Sequence, residues 1–164
     1  MRRLLIAGLA VGLAAAPALS QDGPGRKMPD RGQGHVDVGK AIQYAEYPPT
    51  SGQHWPVVAK WGVVYPEALP DEVYVHNLEH GGIVLLYKCA TPCPEVVPQL
   101  TELLGSLPKS KYGYPKVVIS PNSRIKTRFA LLAWTRLDEF DKLDRDRVVR
   151  FVQAWQDKGP EDVP

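Results

Sequence analysis

The stretch VYVHNLEHGGIVLLYK, residues 73–88, decides how the rest of the chain is organised. It begins with the strand-type residues 73–75 and, after two glycines, ends with the continuous apolar run 83–87. Short runs rich in Val, Ile and Leu are typical of buried strands. We therefore expect two core strands with a polar cluster between them. That cluster contains two histidines and Glu79, whose burial costs free energy unless they are paired or bind a metal ion.

The remainder of the chain has the pattern of an α+β domain. Two further strands and two helices are predicted, over residues 116–120, 128–135, 94–107 and 145–158 respectively. Asp144 is the expected N-cap of the last helix. We predict one globular domain over residues 35–164, with a mainly antiparallel sheet of about four to five strands and two helices packed on one side of it.

The first twenty residues have the pattern of a secretory signal peptide. Arg2 and Arg3 form a basic start, an apolar stretch follows, and small residues lead to Ser20, after which cleavage is expected. The apolar stretch is short for a spanning helix, so we expect no stable membrane span after cleavage. The protein is thus predicted to be periplasmic or secreted. Residues 21–34, rich in Gly, Pro and charge, are predicted to form a flexible arm.

The charge balance argues against one class of partner. The chain has 20 basic and 18 acidic residues, and the predicted signal peptide removes two arginines and no acids. The mature chain is therefore balanced in charge and has no basic stripe. Such a chain is not expected to bind nucleic acid or anionic membrane surfaces.

The two cysteines, Cys89 and Cys93, lie close together in the segment KCATPCPE. In an oxidising compartment a local disulfide is the default expectation for such a pair. A pair of thiolate metal ligands or a redox pair is the alternative. The sequence leaves these alternatives open.

All four histidines, His35, His54, His76 and His80, lie in the first half of the mature chain. Imidazole is the commonest side-chain ligand for zinc and copper, and three or four imidazoles are enough for a site. We expect a copper or zinc ion bound by His54, His76 and His80, with His35 or Glu79 as a fourth ligand. If they serve only to hold a loop to the sheet, these histidines are structural.

This prediction has a geometric requirement. His76 and His80 are four residues apart, so they share a face if the segment makes a helical turn. His54 ends the loop YPPTSGQHWP, residues 47–56, which two adjacent prolines stiffen. We expect this loop to fold over residues 73–87 and to bring His54 beside the other two histidines.

Two other functions fit the same residues. The spacing His76-x-x-Glu79-His80 matches the inverted zinc-protease motif, in which Glu79 would be the general base of a metal-dependent hydrolase. That motif needs a long helix, which strand-forming neighbours and two glycines disfavour. The other is a non-enzymatic module that contacts a cell-envelope protein through Trp55, Trp61 and Tyr65. The sequence does not decide whether the protein is an enzyme.

Four segments together resemble a bacterial family, the domain of unknown function 3105. They are YPPTSGQHW, VHNLEHGGIVLLY, the dipeptide Ala133-Trp134 and the closing GPE of residues 159–161, and the resemblance covers residues 36–161. It implies that His54, His76, Glu79 and His80 belong to the family signature, and that the protein is secreted or membrane-anchored. The family has no established activity, so the resemblance implies no catalytic residue. The cysteine pair is not part of the signature.

Overall fold

The computed structural model describes residues 23–89 and 94–164. The predicted signal peptide, residues 1–20, lies outside them. The strands of this part of the chain are β1 Arg26–Lys27, β2 Gln33–His35, β3 Gly52–His54, β4 Val63–Val64, β5 Ile83–Tyr87, β6 Val117–Pro121, β7 Phe129–Ala133 and β8 Arg136–Phe140. The helices are α1 Asp71–Glu79, α2 Val96–Gly105 and α3 Arg145–Trp155.

The main sheet has six strands in the order β1-β8-β7-β5-β6-β4, and β2 and β3 form a separate two-stranded sheet. The α+β class is confirmed, but the sheet is mixed and larger than predicted. β6 runs parallel to both β4 and β5, while β7 and β8 add antiparallel pairs. The parallel β5–β6 pair follows from α2, because a helical crossover returns the chain in the same direction.

The predicted strand over residues 73–75 is wrong, since these residues lie within α1. Every residue of α1 except Glu72 is buried, so its apolar residues do not show the one-sided helical period. Tertiary packing here overrides the strand preference of the β-branched residues. The start signal was present in the sequence, because Pro70 precedes two acidic residues in the first turn, where the helix dipole favours negative charge.

The helices cover both faces of the sheet rather than one. α2 and α3 pack on one face, against Ile83, Leu85 and Tyr87 of β5. α1 packs on the other face, against Val84 and Leu86 of the same strand. β5 is therefore apolar on both sides, which explains the continuous run that identified it as a core strand.

The predicted flexible arm is part of the fold from residue 23 onward. β1 pairs with β8, and β2 pairs in parallel with β3. The indole Nε1 of Trp155 donates a hydrogen bond to the carbonyl of Pro24 at 2.8 Å. Because backbone pairing holds β1 and β2 in place, these strands carry no hydrophobic period that a sequence pattern could reveal.

Residues 156–163, termed here the C-terminal segment, pack against the end of α1. The amides of Asp157 and Glu161 donate to the carbonyls of Gly81 and Glu79 at 2.9 and 3.0 Å. The Nζ of the buried Lys116 donates to two further carbonyls, of His80 and Val163. These bonds fix the C-terminal segment beside the histidine-rich helix.

Cys89 packs, partly buried, against the core on the α2–α3 side. Cys93 lies outside the described residues. The disulfide, and the alternative ligand or redox pair, therefore stay predictions.

Within the two described ranges, no helix is long and apolar enough to cross a bilayer.

Candidate metal centre

Three elements bring four potential ligands to one place. The parallel register of β2 and β3 sets His35 beside His54. His76 and Glu79 lie three residues apart on α1, and therefore on the same face of the helix. One donor atom from each of these four residues lies within 4.8 Å of the other three.

A single oxygen is the centre of this group. The Nε2 atoms of His54, His35 and His76 lie 2.9, 3.7 and 3.8 Å from Oε2 of Glu79. The ring centroids of these three histidines are 4.8 to 4.9 Å apart. Tetrahedral ligands with metal bonds near 2.1 Å are separated by about 3.4 Å. The three nitrogen–oxygen separations are close to those between the ligands of a tetrahedral metal site.

The hydrogen bonds of His54 constrain what lies between it and Glu79. Nδ1 of His54 is 2.8 Å from the carbonyl of Gly52, which can only accept, so Nδ1 carries a proton and donates it. In the neutral ring, Nε2 then has a lone pair directed at a carboxylate oxygen 2.9 Å away. Two acceptors at this distance repel each other. A cation, either a proton or a metal ion, must therefore lie between them.

His76 is neutral at physiological pH. The pKa of His76 is lowered to about 4, mainly by burial and further by the other three histidines, while Glu79 opposes the lowering. Its Nδ1 is buried and has no hydrogen-bond partner within the described part of the chain. A neutral imidazole can ligate a metal ion without first losing a proton.

The four potential ligands differ in their exposure to solvent. His54 is fully buried, and His76 and Glu79 are buried, whereas the side chain of His35 is 49% exposed. The group is therefore closed toward the protein interior and open toward solvent at His35. An ion can reach it from that side.

His80 lies next to this group but has a different partner. Its ring centroid is 4.5 Å from that of His76, and its Nε2 is 3.3 Å from Oε2 of Glu161. Burial lowers the pKa of His80, an effect that Glu161 partly offsets and that Lys116 reinforces. All four histidines thus form one continuous cluster, in which His35 replaces the expected His80 beside His54 and His76. The reason is that one helical turn separates His80 from His76, and β2 and β3 approach α1 at His76.

Glu161 was not among the predicted site residues. It occupies the last position of the GPE segment, residues 159–161, that contributed to the family resemblance. That segment was the one sequence signal that pointed to it.

The structure also places the residues on which the two alternatives depend, a metal-dependent hydrolase and a partner-binding module. Glu79 lies among the potential ligands, since three imidazoles surround one of its oxygens. The aromatic residues proposed as a partner surface are partly buried against the core on the α1 side; they are Trp55, Trp61 and Tyr65.

Comparison with known proteins gives one result. A family model described as "Protein of unknown function (DUF3105)" matches residues 35–163. Neither the curated proteins nor the solved structures contain a match.

Proposed function

Since the chain belongs to the DUF3105 family, whose function is unknown, we propose a function from the geometry of its histidine cluster. The protein is a periplasmic or secreted domain that binds a zinc or copper(II) ion at this cluster. The ligands are His35, His54, His76 and Glu79. The observation that carries the proposal is the convergence of three imidazole Nε2 atoms on one buried carboxylate oxygen.

The donor set favours these two metals. Three imidazoles and one carboxylate suit zinc and copper(II), whereas copper(I) prefers thiolate and thioether sulfur. The four residues that make up the group include no sulfur ligand. Three neutral imidazoles and one carboxylate compensate one of the two positive charges of a divalent ion.

Ion binding relieves the contact between His54 and Glu79. In the metal-free protein a proton must lie between His54 Nε2 and Glu79 Oε2, because the carbonyl of Gly52 occupies the other ring nitrogen. The metal ion replaces that proton. Binding is therefore expected to release a proton and to weaken as the pH falls.

The test uses protein purified without a histidine tag and stripped with a chelator. Zn²⁺ or Cu²⁺ is titrated in by calorimetry, and the melting temperature is recorded. Glu79→Gln is the informative variant, because its amide can donate to the lone pair of His54 and preserve packing while removing the negative charge. We expect a rise in melting temperature for wild type and at least 10-fold weaker binding for the variant. EPR of the copper form should show nitrogen ligands.

Glu67→Gln is the matched control, since it removes the same charge from an exposed position in the loop before α1. It should bind like wild type. Wild-type protein that takes up neither ion and shows no thermal shift would overturn the proposal. Equal affinities of wild type and Glu79→Gln would show that the ion binds elsewhere in the molecule.

A further inference from the structure

A second group of potential ligands adjoins the first. Donor atoms of Glu79, His80 and Glu161 all lie within 4.8 Å of one another. Glu79 belongs to both groups. The two groups thus share one carboxylate, and His35, His54 and His76 belong to the first group only.

The fold holds Glu161 in this position. Its amide donates to the carbonyl of Glu79 at 3.0 Å, so the backbone carrying one carboxylate is bonded to the backbone carrying the other. Gly159, two residues before Glu161, packs directly on the end of α1, where a Cβ atom would come within 2.2 Å of the Glu79 carbonyl. Backbone packing therefore fixes the position of Glu161 beside Glu79.

The two carboxylates of this arrangement carry negative charge close together. Glu79 is buried and the side chain of Glu161 is 43% exposed, so their mutual repulsion is only partly screened by water. A carboxylate has two oxygens and can bridge two metal ions about 3.5–4 Å apart.

We propose that Glu79, His80 and Glu161 hold a second divalent metal ion, and that Glu79 bridges it to the first. This inference rests on the proposed function, because Glu79 is a ligand in both. The second site has one imidazole and two carboxylates and is more exposed, so it binds its ion more weakly and fills after the first. With three protein ligands, it leaves positions for water or for a small anion.

The experiment counts ions and measures the coupling between them. Metal-free full-length mature protein is titrated with Zn²⁺ and examined by calorimetry and native mass spectrometry. Wild type should take up two ions per chain. Glu161→Gln, which keeps the backbone bond to Glu79, should take up one, with the affinity of the first site unchanged. Asp162→Asn is the control, because it removes the same charge from the next residue, and it should still bind two.

Copper(II) gives an independent readout of the bridge. The first equivalent should give the EPR signal of an isolated ion, and the second should couple to it, with loss of signal intensity. Glu161→Gln should show only the isolated signal. Two uncoupled signals, or a Glu161→Gln variant that still binds two ions, would overturn the proposal. One ion in wild type would overturn it while leaving the proposed function intact, and no ion would overturn both.

Discussion

At the scale of single residues, Glu79 has the most consequences for the molecule. Its buried carboxylate faces three imidazoles, and the backbone carbonyl of the same residue accepts from the Glu161 amide. Burying these groups costs free energy unless a cation lies among them. The cluster therefore makes the metal-free protein sensitive to the protonation of its histidines.

We predict that the metal-free protein loses stability as the pH falls from about 6.5 toward 4. The pKa of His76 is about 4 in the folded chain against 6.5 in the unfolded chain. Between these values the unfolded chain binds more protons, so acid favours unfolding. The contribution is on the order of 2–3 kcal/mol. Urea unfolding with a chelator at several pH values measures it.

His76→Gln is the comparison for this measurement. It removes the titrating ring while keeping a polar side chain. The free energy of unfolding of the variant should fall less steeply between pH 6.5 and 4.5. Identical slopes for the two proteins would show that His76 does not carry the effect.

At the scale of elements, the site depends on how segments distant in sequence meet at α1. β2 and β3 bring His35 and His54 to one turn of the helix, and the C-terminal segment brings Glu161 to its end. The closest packing is between Gly159 and the turn after α1. A Cβ atom on this glycine would come within 2.2 Å of both the Glu79 carbonyl and the Gly81 nitrogen. Only glycine fits there without moving backbone.

We predict that Gly159→Ala destabilises the protein by roughly 1–3 kcal/mol, because the added methyl group must push the C-terminal segment away from α1. It should also abolish the second ion while leaving the first. Gly105→Ala is the control, since no heavy atom lies within 4 Å of the position of its Cβ. That variant should be unchanged or more stable by up to about 1 kcal/mol. Thermal unfolding and Zn²⁺ stoichiometry distinguish the two; equal stability would contradict the packing argument.

How far the sequence predicted these elements depended on where each one buries its side chains. β5, β6, α2 and α3 carry patterns that identified them, and Asp144 caps α3 by accepting from the Arg147 amide as expected. α1 was missed because it is buried nearly all round. β8 was missed because its residues are mostly charged and half-buried, and because Thr135, with φ of 56°, turns the chain after β7.

The candidate site was predictable in part for a related reason. Residue type alone singled out the histidines and Glu79, since ionisable groups beside core segments need a partner. The grouping of His35 with His54 depends on the backbone register of β2 and β3, which no side-chain pattern encodes. The position of Glu161 depends on the path of the C-terminal segment.

At the scale of the whole molecule, the cluster joins three parts of the chain on one face of the main sheet. The β2–β3 sheet has only two strands of three residues each, and such a pair is marginally stable by itself. α1, in contrast, packs directly on the core. An ion bound by His35, His54, His76 and Glu79 therefore links the marginally stable β2–β3 sheet to α1, which is packed on the core.

We predict that metal binding slows amide hydrogen exchange in the β2–β3 sheet far more than beside β4, an edge strand of the main sheet. The reporter amides are Val36, which donates to His54, and Gly52, which donates to Gly32. At an ion concentration 100 times the dissociation constant the bound state gains about 2.7 kcal/mol, or about 100-fold in protection. The Tyr65 amide, which donates to Ile119 beside β4, is the internal control. This hydrogen bond can break without release of the ion. NMR-detected exchange of wild type and Glu79→Gln, each with and without Zn²⁺, measures all three. Equal gains at Val36 and Tyr65, or a gain that persists in Glu79→Gln, would show that the ion does not hold the β2–β3 sheet to α1.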